Sequence, residues 1–319
     1  MQLSRQNETV EGLRWQDKTR WKESVMILVT GAAGLNGSTI MREFAAQKTR
    51  VRALVRSRAQ ARVLDALPTV EIVEGDMLKP DTLGAALHGV ERVLLISSAN
   101  QQMVETQCTF IDACKKAGVR HVVKFSGAES SNGFDPRNFR FTRMHEDIER
   151  YLERSGLAWT HLRPSQFMQV YLRETPTIVA QSAIFLPAEN ITLSPVDIDD
   201  IAKVAFKILR NGDHESKSYD MTGPEALTMT DVAERISSAI GKTVRYVNVN
   251  PEDRRRALLA AGMSPVFADA LDEQTAERLK HPESRVYLGT HDAFQIRPTT
   301  FAEFAHRNAN AFRGEAGLS

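Results

Sequence analysis

Three glycines at a spacing of three, Gly31-Ala32-Ala33-Gly34-Leu35-Asn36-Gly37, stand directly behind the apolar run Met26-Ile27-Leu28-Val29-Thr30 and constrain this chain more than any other feature. A strand that runs into a glycine-rich turn and then a helix is the context in which such a pattern has physical meaning. Gly31 permits the tight turn, Gly34 lets backbone N–H groups approach a pyrophosphate, and Gly37 lets the helix lie close to the strand, while the helix N-terminus attracts negative charge. Ala33, Leu35 and Asn36 fall in the same turn and are expected to touch the bound dinucleotide. A plain glycine-rich turn would leave the three glycines without a reason.

The chain beyond this turn alternates short β-branched runs with helical stretches, as a parallel sheet covered on both faces requires. The expected strands are Met26 to Thr30, Arg50 to Val55, Val70 to Glu74, Arg92 to Ile96, His121 to Phe125 and Trp159 to Leu162. Between them lie helical segments at Ser38 to Gln47, from Ala59, after Pro80, at Gln102 to Ala117 and at Phe141 to Arg154. The fold class is therefore α/β: a Rossmann-type doubly wound parallel sheet over residues 26–165. Residues 166–319 read as a smaller α+β substrate-binding region, some of whose segments return to the first domain and close a cleft at the carboxyl ends of the strands. There, Asp197 to Leu209 and Thr230 to Ile240 are expected to be amphipathic helices, the second capped by Thr230, with a strand at Ser218 to Met221 between them. Asp253 to Lys280 reads as helical and charged, and its Arg254, Arg255 and Arg256 as a solvated face rather than a phosphate site.

Residues 1–25 mix both signs of charge and lack an apolar signal-peptide core, so they are expected to be an arm outside the fold, an artefact of expression or the product of an upstream start. Trp15 and Trp21 within them are candidates to pack on the body or a partner. Lysine plus arginine number 41 against 40 aspartate plus glutamate, so no overall field draws the chain to nucleic acid or an anionic membrane. No window approaches the ~20 apolar residues of a membrane span. The two cysteines, Cys108 and Cys114, are six apart with no His cluster beside them, and His281 and His291 lack supporting ligands; a cytoplasmic protein with reduced thiols and no metal is expected.

The second strand ends Val55-Arg56-Ser57-Arg58, where a site preferring NADH would carry an acid for the ribose 2′-hydroxyl. Arg56 instead can pair with a 2′-phosphate, with Arg58 assisting, so NADPH is the expected cofactor and NADH a weaker one. The third strand ends Glu74-Gly75-Asp76-Met77, where Asp76 is placed either to accept from the adenine amino group or to start the turn before Pro80. The fourth ends in Ser97, Ser98 and Asn100, small polar residues at the switch point where the cofactor's ribose would lie.

The glycine turn, Arg56, Gly75-Asp76, Leu94 to Ser98, Ala113 to Val119, His145 with Glu149, Ser155 to Leu157, Arg163-Pro164 and Tyr219 to Gly223 together resemble the extended and atypical short-chain dehydrogenase/reductases. The resemblance is closest to their NmrA-like branch, and within it to the type 2 NAD(P)H:quinone oxidoreductases, from Met26 to about residue 265. It implies further cofactor contacts from Ser126, after the fifth strand, and from Pro164, after the sixth.

The chain departs from the superfamily at its acid. Extended members carry Tyr-x-x-x-Lys on the helix before the sixth strand, where a lysine lowers the phenol's pKa so that it exchanges a proton with the substrate. Aligned on Glu149 and Ser155-Gly156, those positions hold Phe141 and His145. Ordinary ketone chemistry, which must protonate an alkoxide, is disfavoured. Hydride addition to an electron-poor aromatic acceptor, such as a quinone, an azo compound or a triarylmethane cation, needs less acid. His145 is the candidate to hold or protonate such an acceptor, and Phe141, Phe167 and Met168 are candidates for an apolar wall. The rival expectation is a regulator of the NmrA type that binds NAD(P) without turning it over and acts through protein contacts. The expected state is a monomer or homodimer.

Overall fold

In the computed structural model, residues 25–129 and 132–315 are described. The expectations for residues 1–24, including Trp15 and Trp21, lie outside the described residues.

The first half builds the sheet expected from the alternation. Strands β1 (Met26–Val29), β2 (Val51–Val55), β3 (Val70–Glu74), β4 (Val90–Leu95), β5 (His121–Phe125) and β6 (Ala158–Pro164) alternate with helices α1 (Leu35–Ala46), α2 (Met103–Lys116) and α3 (Arg140–Arg154). The central strands β2 and β5 are buried at every residue, because helices cover both faces. Two segments of the C-terminal half return to this sheet: helix α4 (Ile198–Asn211) covers α1's face of it, and a strand later in the chain pairs with β6. That strand is β8 (Lys217–Met221), because a short strand β7 (Ala183–Leu186) precedes it in the chain. The sheet then has seven parallel strands in the order β3-β2-β1-β4-β5-β6-β8. Strand order reverses between β1 and β4, which opens the switch-point crevice at their carboxyl ends.

One apolar layer, with Phe44, Ile40, Ile201 and Ile208, lies under α1 and α4. A second, with Phe110, Ile111, Ile148 and Leu152, lies under α2 and α3. The remaining C-terminal residues form a third core around Tyr171, Val232, Ile236, Phe301 and Phe304. There β7 pairs in parallel with β9 (Arg245–Asn248), two strands the alternation did not predict, since four residues each are too few to show a period.

Three expectations are corrected or sharpened here. Helix α5 (Met229–Ile240) is capped by Thr228 rather than Thr230, because only Thr228 has an acid, Asp231, three residues on to complete a reciprocal capping box. The charged stretch is two helices, α6 (Pro251–Ala260) and α7 (Pro265–Lys280), divided at Gly262, whose φ of +87° ends the first before Ser264 caps the second. The arginine triplet on α6 is ion-paired rather than merely solvated: Arg254 with the buried Glu174, Arg255 with Asp269 and Asp272, and Arg256 with Asp253.

Candidate active site

The glycine turn is stapled in place by Thr30, whose hydroxyl donates to the Ile96 carbonyl at 2.6 Å and accepts from the Ile96 N–H at 2.8 Å. This ties the end of β1 to the end of β4. Gly31 has a φ of +59°, and a Cβ there would come within 3.0 Å of the Ile96 oxygen. Gly34 caps α1 without a side chain, and the first turn carries no acid. The N–H groups of Leu35, Asn36 and Gly37 are thus the unpaired donors of a helix start. Gly34 and Leu35 are exposed at the rim, Ala33 is half-buried, and the buried Oδ1 of Asn36 has no hydrogen-bond partner among the described residues. An uncapped helix N-terminus with no acid in its first turn fits a dinucleotide pyrophosphate.

Arg56 is exposed just past β2, with no ion pair or hydrogen bond from its guanidinium among the described residues. The loop that carries it is held by the Arg58 N–H, which donates to Glu74 Oε1 at 2.5 Å. Asp76 is used by its own turn, Oδ1 accepting from the Leu78 N–H at 3.0 Å, and half-buried Met77 packs against the second apolar layer. Ser97 accepts from Gln107 at 2.8 Å, Asn100 accepts from the Gln102 N–H at 2.9 Å, and Ser98 is exposed.

On the other side of the crevice, the Ser126 N–H donates to the Leu162 carbonyl at 2.7 Å and the Ala128 N–H to the Pro164 carbonyl at 3.0 Å, extending the β5–β6 pairing into the loop. Ser126 is 4% exposed at the carboxyl end of the sheet, with its hydroxyl beside the Glu149 carboxyl, where it helps to hold that group's pKa down. Helix α3 carries Phe141 and, one turn later, the half-buried His145, which lies against Gly127: a Cβ on that glycine would be 3.4 Å from His145 Cδ2. Helix α7 closes over the start of α3. Arg140 pairs with Glu273 at 2.5–3.0 Å, the Asp135 N–H donates to Glu277 at 3.0 Å, and Phe141 meets Phe267 at a ring separation of 6.2 Å. Phe167 lies against Phe125 at 6.0 Å. Met168 is 1% exposed, deep in the third core, and offers almost no surface to a ligand.

The geometry also brings in residues to which the sequence reading gave no role in the site. Lys124, in the middle of β5, is fully buried, and its Nζ is 2.9 Å from His145 Nδ1 and 3.2 Å from the Phe125 carbonyl. Burial pushes this ammonium down to about 7, and burial, with Lys124 beside it, pushes His145 well below the ordinary imidazole value. Burial raises the carboxyl of Glu129, which folds over Gly127, and lowers Arg278 on α7, which faces it. Burial also pushes the Glu149 carboxyl upward but is outweighed by Arg163, which grips it at 3.0 and 2.5 Å, so the net shift is downward. The signal for Lys124 was present in the sequence: a lysine at mid-strand in a sheet covered on both faces has no solvent to reach.

Among the described residues no cluster of three or more His, Cys, Asp or Glu is placed to hold a metal, and no helix is long and apolar enough to cross a membrane. Cys108 and Cys114 are free thiols.

A glycine turn and an uncapped helix N-terminus at the switch point of a doubly wound parallel sheet define a nucleotide-binding α/β protein. Residues 23–305 match the NmrA-like family, and the chain belongs to it. It is 36% identical over 290 residues to the NAD(P)H azoreductase of Xenophilus azovorans, covering 90% of this chain and 99% of that protein. The structure of the NADPH-dependent quinone oxidoreductase of Escherichia coli complexed with NADPH matches with a TM-score of 0.78 at 27% identity, covering 88% of this chain and 99% of that one. The negative transcriptional regulator NmrA in complex with NADP shares the fold, with a TM-score of 0.75 at 19% identity over 93% and 98% of the two chains.

Proposed function

We propose that the chain is an NADPH-dependent reductase that passes hydride to an electron-poor aromatic acceptor of the quinone, azo or triarylmethane type. The observation that carries this reading is the make-up of α3: an aromatic ring at Phe141 and an imidazole at His145 stand where a tyrosine–lysine pair would, beside a cradle suited to a dinucleotide. The azoreductase and quinone oxidoreductase relatives support the same acceptor class.

NADPH, when bound, supplies the hydride. The chain's own contribution is placement. The α1 N-terminus would hold the pyrophosphate, Arg56 the 2′-phosphate, and Ser126 with Pro164 the side of the cofactor facing the cleft. Phe141 and Phe167 would stack the acceptor, and His145 would hydrogen-bond its developing anion, so that alignment lowers the barrier. Water exclusion by α7 strengthens that bond.

The test is NADPH oxidation followed by absorbance with a panel of quinones, azo compounds and triarylmethane dyes, for the wild type and His145→Ala. Turnover on at least one acceptor, reduced roughly 10- to 100-fold in the variant, is expected, at or below the usual range for a general acid. NADPH binding with no turnover on any acceptor would favour the regulator reading. Turnover unchanged in His145→Ala would remove His145 from the chemistry.

A further inference from the structure

We propose that Lys124 is the positioning residue for His145: its ammonium donates to Nδ1, which leaves the ring's proton on Nε2 as the donor presented to the acceptor, and it replaces that proton through the ring when the donor is used. This rests on the reading of His145 as the acceptor's hydrogen-bond partner.

The argument begins with inventory. An ammonium has three donors and no lone pair, so a ring nitrogen 2.9 Å from it must accept. A neutral imidazole that accepts at Nδ1 carries its hydrogen at Nε2. The tautomer is therefore set from behind by a group that never touches the acceptor. Lys124 is suited to this because it cannot turn away: it is fully buried on the face of β5 covered by α2 and α3, with its second donor on the Phe125 carbonyl at 3.2 Å.

The partner set is unusual for a buried lysine. Buried ammonium groups are ordinarily held charged by a carboxylate. Here the nearest acid of the cluster, Glu149 on α3, is already gripped through two bonds by Arg163 from β6, and it forms no ion pair with Lys124. The other ionisable neighbour is Cys108 on α2, whose thiol burial raises to about 11 and which is therefore neutral. Desolvation thus dominates and leaves the ammonium titrating near neutrality, at about 7. A lysine paired with a carboxylate would hold its proton too tightly to give it up, whereas this one can.

The step balances. Hydride carries two electrons from the nicotinamide to the acceptor, whose oxygen or nitrogen becomes anionic. That atom takes the Nε2 proton, Nδ1 takes a proton from the Lys124 ammonium, and the buried neutral amine is recharged by the reverse route, solvent in the emptied site protonating Nε2 and the ring returning its Nδ1 proton to Lys124. Acceptors that end as stable anions or neutral molecules need the relay least, and azo compounds, which must gain a proton on nitrogen, need it most.

The test uses the full chain with 15N-labelled histidine, the His145 signals being assigned from their loss in His145→Gln. Long-range proton–nitrogen correlation should show Nδ1 bare and Nε2 protonated at a pH below 7 in the wild type. In Lys124→Met, an apolar replacement of similar length, the pattern should change to a mixture of tautomers, while melting temperature and NADPH affinity are retained. Azo turnover in Lys124→Met should fall roughly 100-fold through kcat rather than KM, the lower end for loss of a general acid. The wild-type decline in rate as pH rises through about 7 should vanish with it. In Lys124→Ala, which opens space at the same point, added methylamine should restore turnover. An Nδ1–H tautomer in the wild type, or an unaltered tautomer in Lys124→Met, would overturn the proposal even if His145→Ala is impaired. An inert His145→Ala would instead sink the reading beneath it.

Discussion

Substituting alanine at Gly34 and at Gly37 separates a glycine kept for the ligand from one kept for the fold. At Gly37 an added Cβ would sit 2.2 Å from the Gly31 oxygen, 2.7 Å from Ala32 Cα and 2.8 Å from the Gly31 carbonyl carbon. All three are backbone atoms of the turn itself. Ordinary contact begins near 3.4 Å, so the helix must move away from the turn by more than an ångström. Overpacking of this kind costs about 3 kcal/mol, and in a chain of this size that lowers the melting temperature by roughly 4–5 °C. At Gly34 the only neighbour is the Gly31 oxygen at 3.3 Å and φ is −78°, so alanine fits with a few tenths of an ångström of adjustment. Its methyl group instead stands at the α1 N-cap, where a pyrophosphate held by the helix N-terminus would approach. Gly34→Ala should therefore melt within about 1–2 °C of the wild type, equivalent to about 1 kcal/mol or less, yet bind NADPH at least tenfold more weakly. Gly37→Ala should lose both. Thermal melting with and without NADPH, together with a fluorescence titration, measures the two effects. Full NADPH affinity in Gly34→Ala, or equal loss of stability in the two variants, would refute the assignment of this turn to the pyrophosphate.

The remaining predictions address charge. Arg56→Ala should weaken NADPH about tenfold and NADH hardly at all, because the lost charge-assisted bond is exposed and sits at the lower end of about 1.5–3 kcal/mol; equal losses in paired titrations would mean that another residue selects the 2′-phosphate. Glu149→Gln should destabilise the fold by about 3 kcal/mol, since it leaves the Arg163 guanidinium facing a neutral amide in a mostly buried site; denaturant unfolding measures this. The same carboxyl is depressed in the folded chain, so its contribution is present above the ordinary carboxylate value near 4.5 and is lost as pH falls through the lower folded value. The acid limb of a melting-temperature profile should consequently flatten in Glu149→Gln, and an identical acid limb would show that the pair does not govern it. The double change Phe141→Tyr with His145→Lys should not accelerate quinone reduction; a large gain would show the native enzyme to be starved of acid.

What the sequence disclosed is what short-range physics writes. The glycine turn, β3 and β5 are local in origin, and their bounds are readable because each run of β-branched residues is closed by a turn signal. Arg56 is legible for the same reason, being one residue past a strand end. By contrast, β7 and β9 pair across some sixty residues and have no period of their own. Arg254 looked solvated because its partner, Glu174, is eighty residues away. Thr230 and Thr228 differ only in which of them has an acid three residues later, a distinction present in the sequence but outweighed by the apolar periodicity. Lys124 sits in the run His-Val-Val-Lys-Phe, which by alternation alone reads as a strand with one wet face. The doubly wound fold denies it that face, and only the packing of α3 shows what it meets instead.

On the proposed reading, that meeting bears on why the acid of the extended superfamily members is dispensable here. A phenol–lysine pair on one helix places both groups beside the substrate, so the phenol donates and the lysine tunes it. In this chain the lysine lies on β5, behind the imidazole rather than beside the substrate, and the helix position it would have occupied is the imidazole itself. The freed tyrosine position becomes Phe141, in an aromatic group with Phe139 and Phe267. A phenol would leave a hydroxyl to satisfy among these rings, whereas phenylalanine offers an apolar surface to a flat ligand. Exchanging the phenol for a ring and moving the acid one helical turn along are therefore parts of one change. A site so built would stack large, electron-poor aromatics rather than protonate small alkoxides, with the hydride step leading and the proton following.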